Sequence, residues 1–354
     1  MSKFFSEKFA ALTPYTPGEQ PRERKYIKLN TNESPFPPSP KAVEKAAEAA
    51  KRLQLYSDPT AAEVTKMVAQ TYGVEPEEVL MVNGSDEILN FAFMAYCDDK
   101  TPAAFPEITY GFYPVFAQVN NVPYVKIPLK EDFSIDIRDY FGLNKTIFIA
   151  NPNAPTGIAL KKSEIEEIIG HNPNNVVVID EAYVDFGAES CVDLIHKYDN
   201  LLVTQTFSKS RSMAGARLGY GIGNKNLIQD LNTIKYSTNP YNVNSLSMAA
   251  GIGMLSDPEY MQKNCQTVME NREYTVKELK RLGFTMTDSC ANFIFVKHPK
   301  LDGGKLYETL KARGVLVRHF TADAICQYNR ITIGSREDME ALIKEVEAIL
   351  EETK

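Results

Sequence analysis

The sequence has little of what several protein classes require. Its four histidines, His171, His196, His298 and His319, stand apart without ligand spacing, and its five cysteines, Cys97, Cys191, Cys265, Cys290 and Cys326, form no CxxC pair. Neither pattern supports a bound metal. An odd set of scattered cysteines points to reduced thiols and a cytoplasmic protein rather than a disulfide framework. Basic residues are outnumbered, 39 against 46 acidic, so the net charge of −7 argues against nucleic acid or an anionic membrane as the main partner. No apolar run approaches the length of a membrane span. The N-terminal MSKFFSEKFAAL carries charges among its apolar residues, unlike a signal peptide. Repeats and low-complexity tracts are lacking too. What remains, 44% hydrophobic and 24% charged over 354 residues, is an ordinary globular composition, and the length allows two or three domains.

The chain is organised around Thr204 to Gly223, TQTFSKSRSMAGARLGYGIG. Leu201-Leu202-Val203 leads in, so Lys209 is predicted at the end of a buried strand. A buried ammonium without an anion is costly. The hydroxyls of Thr206 and Ser208 before it and Arg217 beyond it describe a phosphate bound beside an amine. Pyridoxal 5'-phosphate makes that pair of demands, a covalent bond to lysine at one end and a phosphate cradle at the other. Taken alone, the stretch reads as well as a surface loop with an ordinary lysine and arginine.

Residues 1–35 read as an irregular, proline-containing arm, laid across something else or disordered. Residues 36–245 then alternate apolar runs of four to six residues with helical stretches, the pattern of a mostly parallel sheet covered on both faces. Val79 to Val82 ends in Asn83-Gly84-Ser85-Asp86, a glycine turn into a helix N-terminus and hence a natural anion site, though an unliganded helix cap is the commoner use of such a turn. Thr146 to Ala150 runs into Asn151-Pro152-Asn153-Ala154-Pro155, and Val176 to Ile179 into Asp180-Glu181-Ala182-Tyr183. Gly84, Asn153, Asp180 and Lys209 all follow strands, where α/β sheets carry their sites. Residues 246–354 change character: a long helix from about Pro258 is followed by strands at Ala291–Val296, Val315–Arg318 and Arg330–Ile333, and Ser335 caps a last amphipathic helix. The expected fold is α/β, a large domain with a mostly parallel sheet flanked by helices, plus a smaller α+β domain.

Asp180 is unusual in a run as apolar as VVVIDEAY. It reads as a capping aspartate, or as a carboxylate that keeps a coenzyme's pyridine nitrogen protonated. Together the stretches NTNESPFP (31–38), YSDPT (56–60), NGSDE (83–87), TYGFY (109–113), NPNAPTG (151–157), VIDEAYVDF (178–186), SKSRSMAGARLGY (208–220) and RITIG (330–334) resemble the fold-type I pyridoxal-phosphate aminotransferases, most closely the histidinol-phosphate branch. The resemblance spans most of the chain in the family's order. It implies Lys209 as the Schiff-base lysine, Asp180 as partner of the ring nitrogen and Tyr183 as donor to the ring hydroxyl. Gly84, Ser85, Asp86, Thr206, Ser208 and Arg217 match the phosphate end, and Tyr110 the aromatic stacked on the ring. Tyr56 matches a tyrosine that reaches the neighbouring subunit's coenzyme, implying a homodimer. Arg330 and Arg318 match the substrate's anion site, with Tyr15 and Asn32 at its border.

One departure concerns the ring hydroxyl. The family usually has asparagine where this chain has Ala154, so Asn153 or Tyr183 alone is left for that bond. The implied reaction exchanges amino groups between histidinol phosphate and 2-oxoglutarate in histidine biosynthesis. An aromatic amino-acid aminotransferase and a threonine-phosphate decarboxylase-like lyase would use the same coenzyme site. A coenzyme-binding regulator would need an added DNA-binding segment, and none is evident. A nicotinamide reading of Gly219-Tyr220-Gly221-Ile222-Gly223 fails, because those glycines lie within an expected strand.

Overall fold

Residues 2–353 are described by a computed structural model. After an arm whose first paired residues form β1 (Ile27–Lys28), Ser39 starts α1 (Pro40–Ala50): its hydroxyl accepts the Ala42 amide at 3.2 Å. Proline at the first helical position has no amide to leave unpaired. Asp58 accepts the Thr60 and Ala62 amides at the start of α2 (Ala62–Tyr72), which ends at Gly73 with φ 67°. Next come β2 (Val79–Val82), α3 (Ser85–Tyr96), β3 (Ala103–Pro106), α4 (Tyr113–Val119), β4 (Tyr124–Ile127) and β5 (Thr146–Ala150). They are followed by α5 (Lys162–Gly170), β6 (Val177–Asp180), β7 (Leu201–Thr206), β8 (Gly219–Gly223) and α6 (Lys225–Thr238). Strands β2 to β8 form one sheet in the order β2-β8-β7-β6-β5-β3-β4, with β8 alone antiparallel to its neighbours.

β5, β6 and β7 are buried along their whole length, as parallel strands covered on both faces must be. The two-residue period of a strand divides each apolar run between two cores. Ile147, Ile149, Val177, Ile179, Leu201 and Val203 join Val64 and Val68 of α2 on one face. Phe148, Ala150, Val178 and Leu202 join Phe91 and Phe93 of α3 and Leu231 of α6 on the other.

α7 (Ser245–Leu255) packs on α1 and α2, and α8 (Pro258–Arg281) leads into the second unit. There β9 (Thr285–Met286), β10 (Phe293–Lys297), α9 (Gly303–Ala312), β11 (Val315–Leu316), β12 (Arg318–His319), β13 (Asn329–Thr332) and α10 (Arg336–Glu352) follow in order. Four of these strands make an antiparallel sheet, β12-β13-β10-β9. The single strand expected from Val315 to Arg318 is in fact two. β11 pairs in parallel with β1 of the arm, and β12 pairs with β13. One apolar run thus serves two partners, and it stitches the arm to the second unit. Arg24 reinforces the seam by donating to the Lys311 and Ala312 carbonyls.

The glycines of β8 have a packing role at the start of α3. A Cβ on Gly219 would lie 2.5 Å from Ser85 N and 2.7 Å from the Gly84 carbonyl carbon, both main-chain atoms. Gly219→Ala is therefore expected to lower stability by about 1–3 kcal/mol, read from urea unfolding midpoints.

Candidate active site

β2, β5, β6 and β7 all end at the same edge of the large sheet, and the loops that follow enclose an inner cavity of about 180 Å³. Thr31, Tyr110, Ala154, Tyr183 and Lys209 line both this cavity and an outer one of about 750 Å³.

At one end of the inner cavity lies an anion cradle. Ser85 and Asp86 open α3, where the first amides have no partner within the helix and carry the positive end of its dipole. Gly84 precedes them at φ 79°, and a Cβ there would fall 2.6 Å from Arg217 Nη2. Arg217 itself has φ 52°, a left-handed conformation that costs a non-glycine residue of order 1 kcal/mol. Its Nη1 donates to Ser208 Oγ at 3.3 Å, and Thr206 Oγ1 donates to the same oxygen at 3.0 Å. Asp86 joins this end to the aromatic wall: its carboxylate accepts from the Tyr110 hydroxyl at 2.8 Å and from Arg217 at 3.3 Å.

Asp180 is buried on the cavity wall, accepting from the Tyr113 hydroxyl and the Ala182 amide, each at 3.2 Å. Lys209 Nζ donates to the Thr31 carbonyl at 3.3 Å and lies 5.7 Å from the centre of the Tyr183 ring. The residues after Lys209 are clamped behind it. Ser210 Oγ donates to Asp185 at 2.5 Å, while the buried Arg211 lies 3.4 Å from the same carboxylate and donates to Tyr72 at 3.2 Å. Asp185 is two residues past Tyr183, so the clamp ties the lysine loop to the tyrosine loop.

The outer cavity holds both expected arginines. Arg318 and Arg330 are direct partners in the pairing of β12 with β13, so their side chains share one face of the sheet. Arg330 is half-buried, and desolvation disfavours its charge, yet it donates only to the Asn30 carbonyl at 3.0 Å and its buried Nε has no partner. Arg318 donates to the Thr16 and Pro17 carbonyls at 3.2 and 3.4 Å. Among the described residues, neither arginine forms an ion pair with a carboxylate. Tyr15 lines the same cavity, packed on Phe112 with ring centres 4.5 Å apart.

Residues 24–346 match the family described as aminotransferase class I and II. A histidinol-phosphate aminotransferase of Brachyspira hyodysenteriae is 49% identical over 352 residues, 99% of each chain. The chain belongs to the class I and II aminotransferases. Its fold is also that of a histidinol-phosphate aminotransferase from Sinorhizobium meliloti solved in complex with pyridoxal-5'-phosphate, at TM-score 0.88 and 20% identity over 99% of both chains. An L-threonine-O-3-phosphate decarboxylase from Porphyromonas gingivalis shares the fold at TM-score 0.80 and 22% identity, over 92% of this chain and 99% of that one.

Of the expected residues of this aminotransferase, Asn153 sits differently. Asn153 is not turned to the inner cavity. Its carboxamide accepts from Thr109 Oγ1 at 2.7 Å and donates to the Ile108 carbonyl at 3.0 Å and Thr156 Oγ1 at 3.1 Å, so both its hydrogens are engaged and Ala154 presents a methyl group instead. Asn32 borders the outer cavity, but its carboxamide is bound to Tyr183 and Thr332. Tyr56 is 84% exposed, stacked on Tyr241 at 4.7 Å and absent from the lining of both cavities. Tyr113, Thr31 and the Asp185–Arg211 clamp were not anticipated. All four residues lie within the motifs above, but nothing local in the sequence records which partners they meet.

Burial, with the nearby Asp86 charge, pushes the Asp180 carboxyl up to about 7. The native protein then holds this proton more tightly than the unfolded chain does, so the stability contribution falls as pH rises from about 4 to about 7. The gap corresponds to on the order of 4 kcal/mol. In coenzyme-free protein, Asp180→Asn is expected to match the wild type near pH 4 and to become more stable by up to that amount at pH 8. Urea unfolding across the range measures it.

Proposed function

We propose that the chain is a pyridoxal-phosphate-dependent aminotransferase that exchanges the amino group of histidinol phosphate with 2-oxoglutarate in histidine biosynthesis. The observation that carries the substrate reading is the cross-strand pair Arg318–Arg330. Like charges directly opposite one another on a sheet destabilise it, and a half-buried guanidinium without a counterion does so further. The pair calls for an anion that takes more charge than one carboxylate offers. A phosphate monoester meets that demand, and a dicarboxylic acid partly does.

The inner cavity fits the coenzyme. The α3 amides, Ser208, Thr206 and Arg217 would hold its phosphate, the missing Cβ of Gly84 leaving room for the Arg217 guanidinium. Asp180 would face its ring nitrogen, Tyr110 its ring plane and Tyr183 its ring hydroxyl. Bound there, the coenzyme supplies an electron sink next to the substrate's amino-bearing carbon. Lys209 then has two roles, anchoring the coenzyme and moving the proton at that carbon. A cation opposite Asp180 would repay the cost of keeping this buried carboxylate ionised.

We assign the protein to the cytoplasm and to a homodimer in which Tyr56 enters the partner's site. Support comes from the exposure of Tyr56 beside Leu53 and Leu55, which are 56% and 62% exposed. No helix among the described residues is long and apolar enough to cross a membrane. Residues 1–35 act as an arm, 36–245 as the coenzyme domain and 246–354 as the small domain, a division supported by the separate seven-stranded and four-stranded sheets.

The aromatic lining at Tyr15, Tyr110 and Phe320 also suits an aromatic amino acid. Single-turnover absorbance of coenzyme-loaded protein with L-histidinol phosphate, L-phenylalanine and L-glutamate decides between them. Fast loss of the coenzyme band with histidinol phosphate and slow loss with phenylalanine is expected. The reverse order would move the substrate to aromatic amino acids, and carbon dioxide release from threonine phosphate would mark a lyase.

A further inference from the structure

Three consecutive residues of the N-terminal segment each hold one group of the site. The Asn30 carbonyl accepts from Arg330, the Thr31 carbonyl from Lys209, and the Asn32 carboxamide donates to the Tyr183 hydroxyl at 2.9 Å. The segment is in turn fastened to β13, where the Thr332 amide donates to the Leu29 carbonyl at 2.9 Å.

Asn32 has its orientation set by its neighbours. Its backbone amide donates to Thr332 Oγ1 at 2.9 Å, and that hydroxyl donates its one proton to Asn32 Oδ1 at 3.1 Å. Oδ1 therefore faces Thr332 and Nδ2 faces Tyr183. The Asn32 carbonyl accepts from Asn292 at 3.0 Å, and the residue is 1% exposed with φ 56°. Asparagine tolerates that left-handed conformation better than most residues.

An N–H group can only donate, so the Tyr183 oxygen is the acceptor in this bond and its own proton must be directed elsewhere. Tyr183 lines the inner cavity, and Ala154 beside it has no polar side-chain atom. We infer that Asn32 is a positioning residue that turns the Tyr183 hydroxyl proton into the cavity, towards the ring oxygen of the coenzyme. This rests on the coenzyme reading above. It also couples the second unit to the coenzyme, since Thr332 of β13 orients the amide that orients the tyrosine.

The test is the pH dependence of the bound-coenzyme absorbance in resting protein loaded with pyridoxal 5'-phosphate. An oxygen anion that loses a hydrogen-bond donor binds its proton more tightly. Tyr183→Phe is therefore expected to raise the midpoint by about one pH unit. Asn32→Gly removes the amide while suiting the left-handed backbone, and is expected to raise the midpoint by roughly half a unit or more. Asn32→Asp keeps the acceptor facing Thr332 but would take the Tyr183 proton for itself, so its shift should match that of Tyr183→Phe. Combined with Tyr183→Phe, neither Asn32 variant should shift the midpoint further. A merely structural Asn32 would lower the melting temperature and leave the midpoint in place, which overturns the proposal. So does an Asn32→Asp shift that persists in the Tyr183→Phe background, since that is a charge effect. Absence of any coenzyme band in the unsubstituted protein would instead overturn the coenzyme reading, and the inference with it.

Discussion

Lys209→Ala is expected to lower the rate of both half-reactions by at least about a thousandfold while the fold persists. Among the described residues lining the inner cavity, Lys209 is the one lysine, and Tyr183 and Thr31 hold its amine beside the cavity wall. No neighbouring amine can take over either of its roles, covalent anchoring or proton transfer. The loss should appear in kcat for both substrates alike, since neither substrate is bound by this group. Coenzyme should still bind through the cradle at Ser85, Ser208 and Arg217, more weakly and without a covalent link. Stopped-flow absorbance measures the rates, and dialysis against coenzyme-free buffer measures the loosened binding. Retention of more than a tenth of the activity would remove Lys209 from the centre of the chemistry. The clamp behind it gives a milder counterpart: Arg211→Met should leave the amine present but less well held.

Arg330→Ala is expected to lower kcat/KM with both histidinol phosphate and glutamate by roughly 30-fold to several thousandfold, the span of about 2–5 kcal/mol for a buried charge contact. The guanidinium is half-buried, its Nε is enclosed without a partner, and β13 fixes its backbone, so an anion that reaches it meets a preorganised donor. Arg330→Lys should recover only part of the loss, because an ammonium cannot reproduce the planar fork. Arg318 is half-exposed and already donates to two arm carbonyls. Arg318→Ala should therefore cost less, about tenfold to a hundredfold, and should cost histidinol phosphate more than glutamate. Steady-state kinetics with each substrate separates the two residues. Equal losses for both substrates in Arg318→Ala would argue against a phosphate shared between the arginines.

The strand ends that carry Gly84, Asp180 and Lys209 were legible in the sequence for a physical reason. A parallel strand buried on both faces is a continuous apolar run, and a charged or glycine residue at its end stands out against it. The cap at Ser335 was legible too, its hydroxyl accepting the Asp338 amide as expected. Asn153 misled because adjacency to Ala154 says nothing about direction. In the folded loop its carboxamide ties residues 108, 109 and 156 together. Val315 to Arg318 misled because an apolar run predicts a strand but not how many sheets it serves.

The apolar periodicity determined the class of fold, and the resemblance carried by the ordered motifs implied the coenzyme-type chemistry and pointed to Lys209 and Asp180 as its candidates. These are properties of a residue and its immediate neighbours along the chain. The tertiary structure alone decided that Arg318 stands opposite Arg330, that Asn32 meets Tyr183 across 151 positions, and that Arg211 grips Asp185 behind Lys209. Each depends on sheet register or on how the arm and the second unit close against the first. A one-residue slip in register turns a side chain to the opposite face, and nothing local in the sequence records which register is taken.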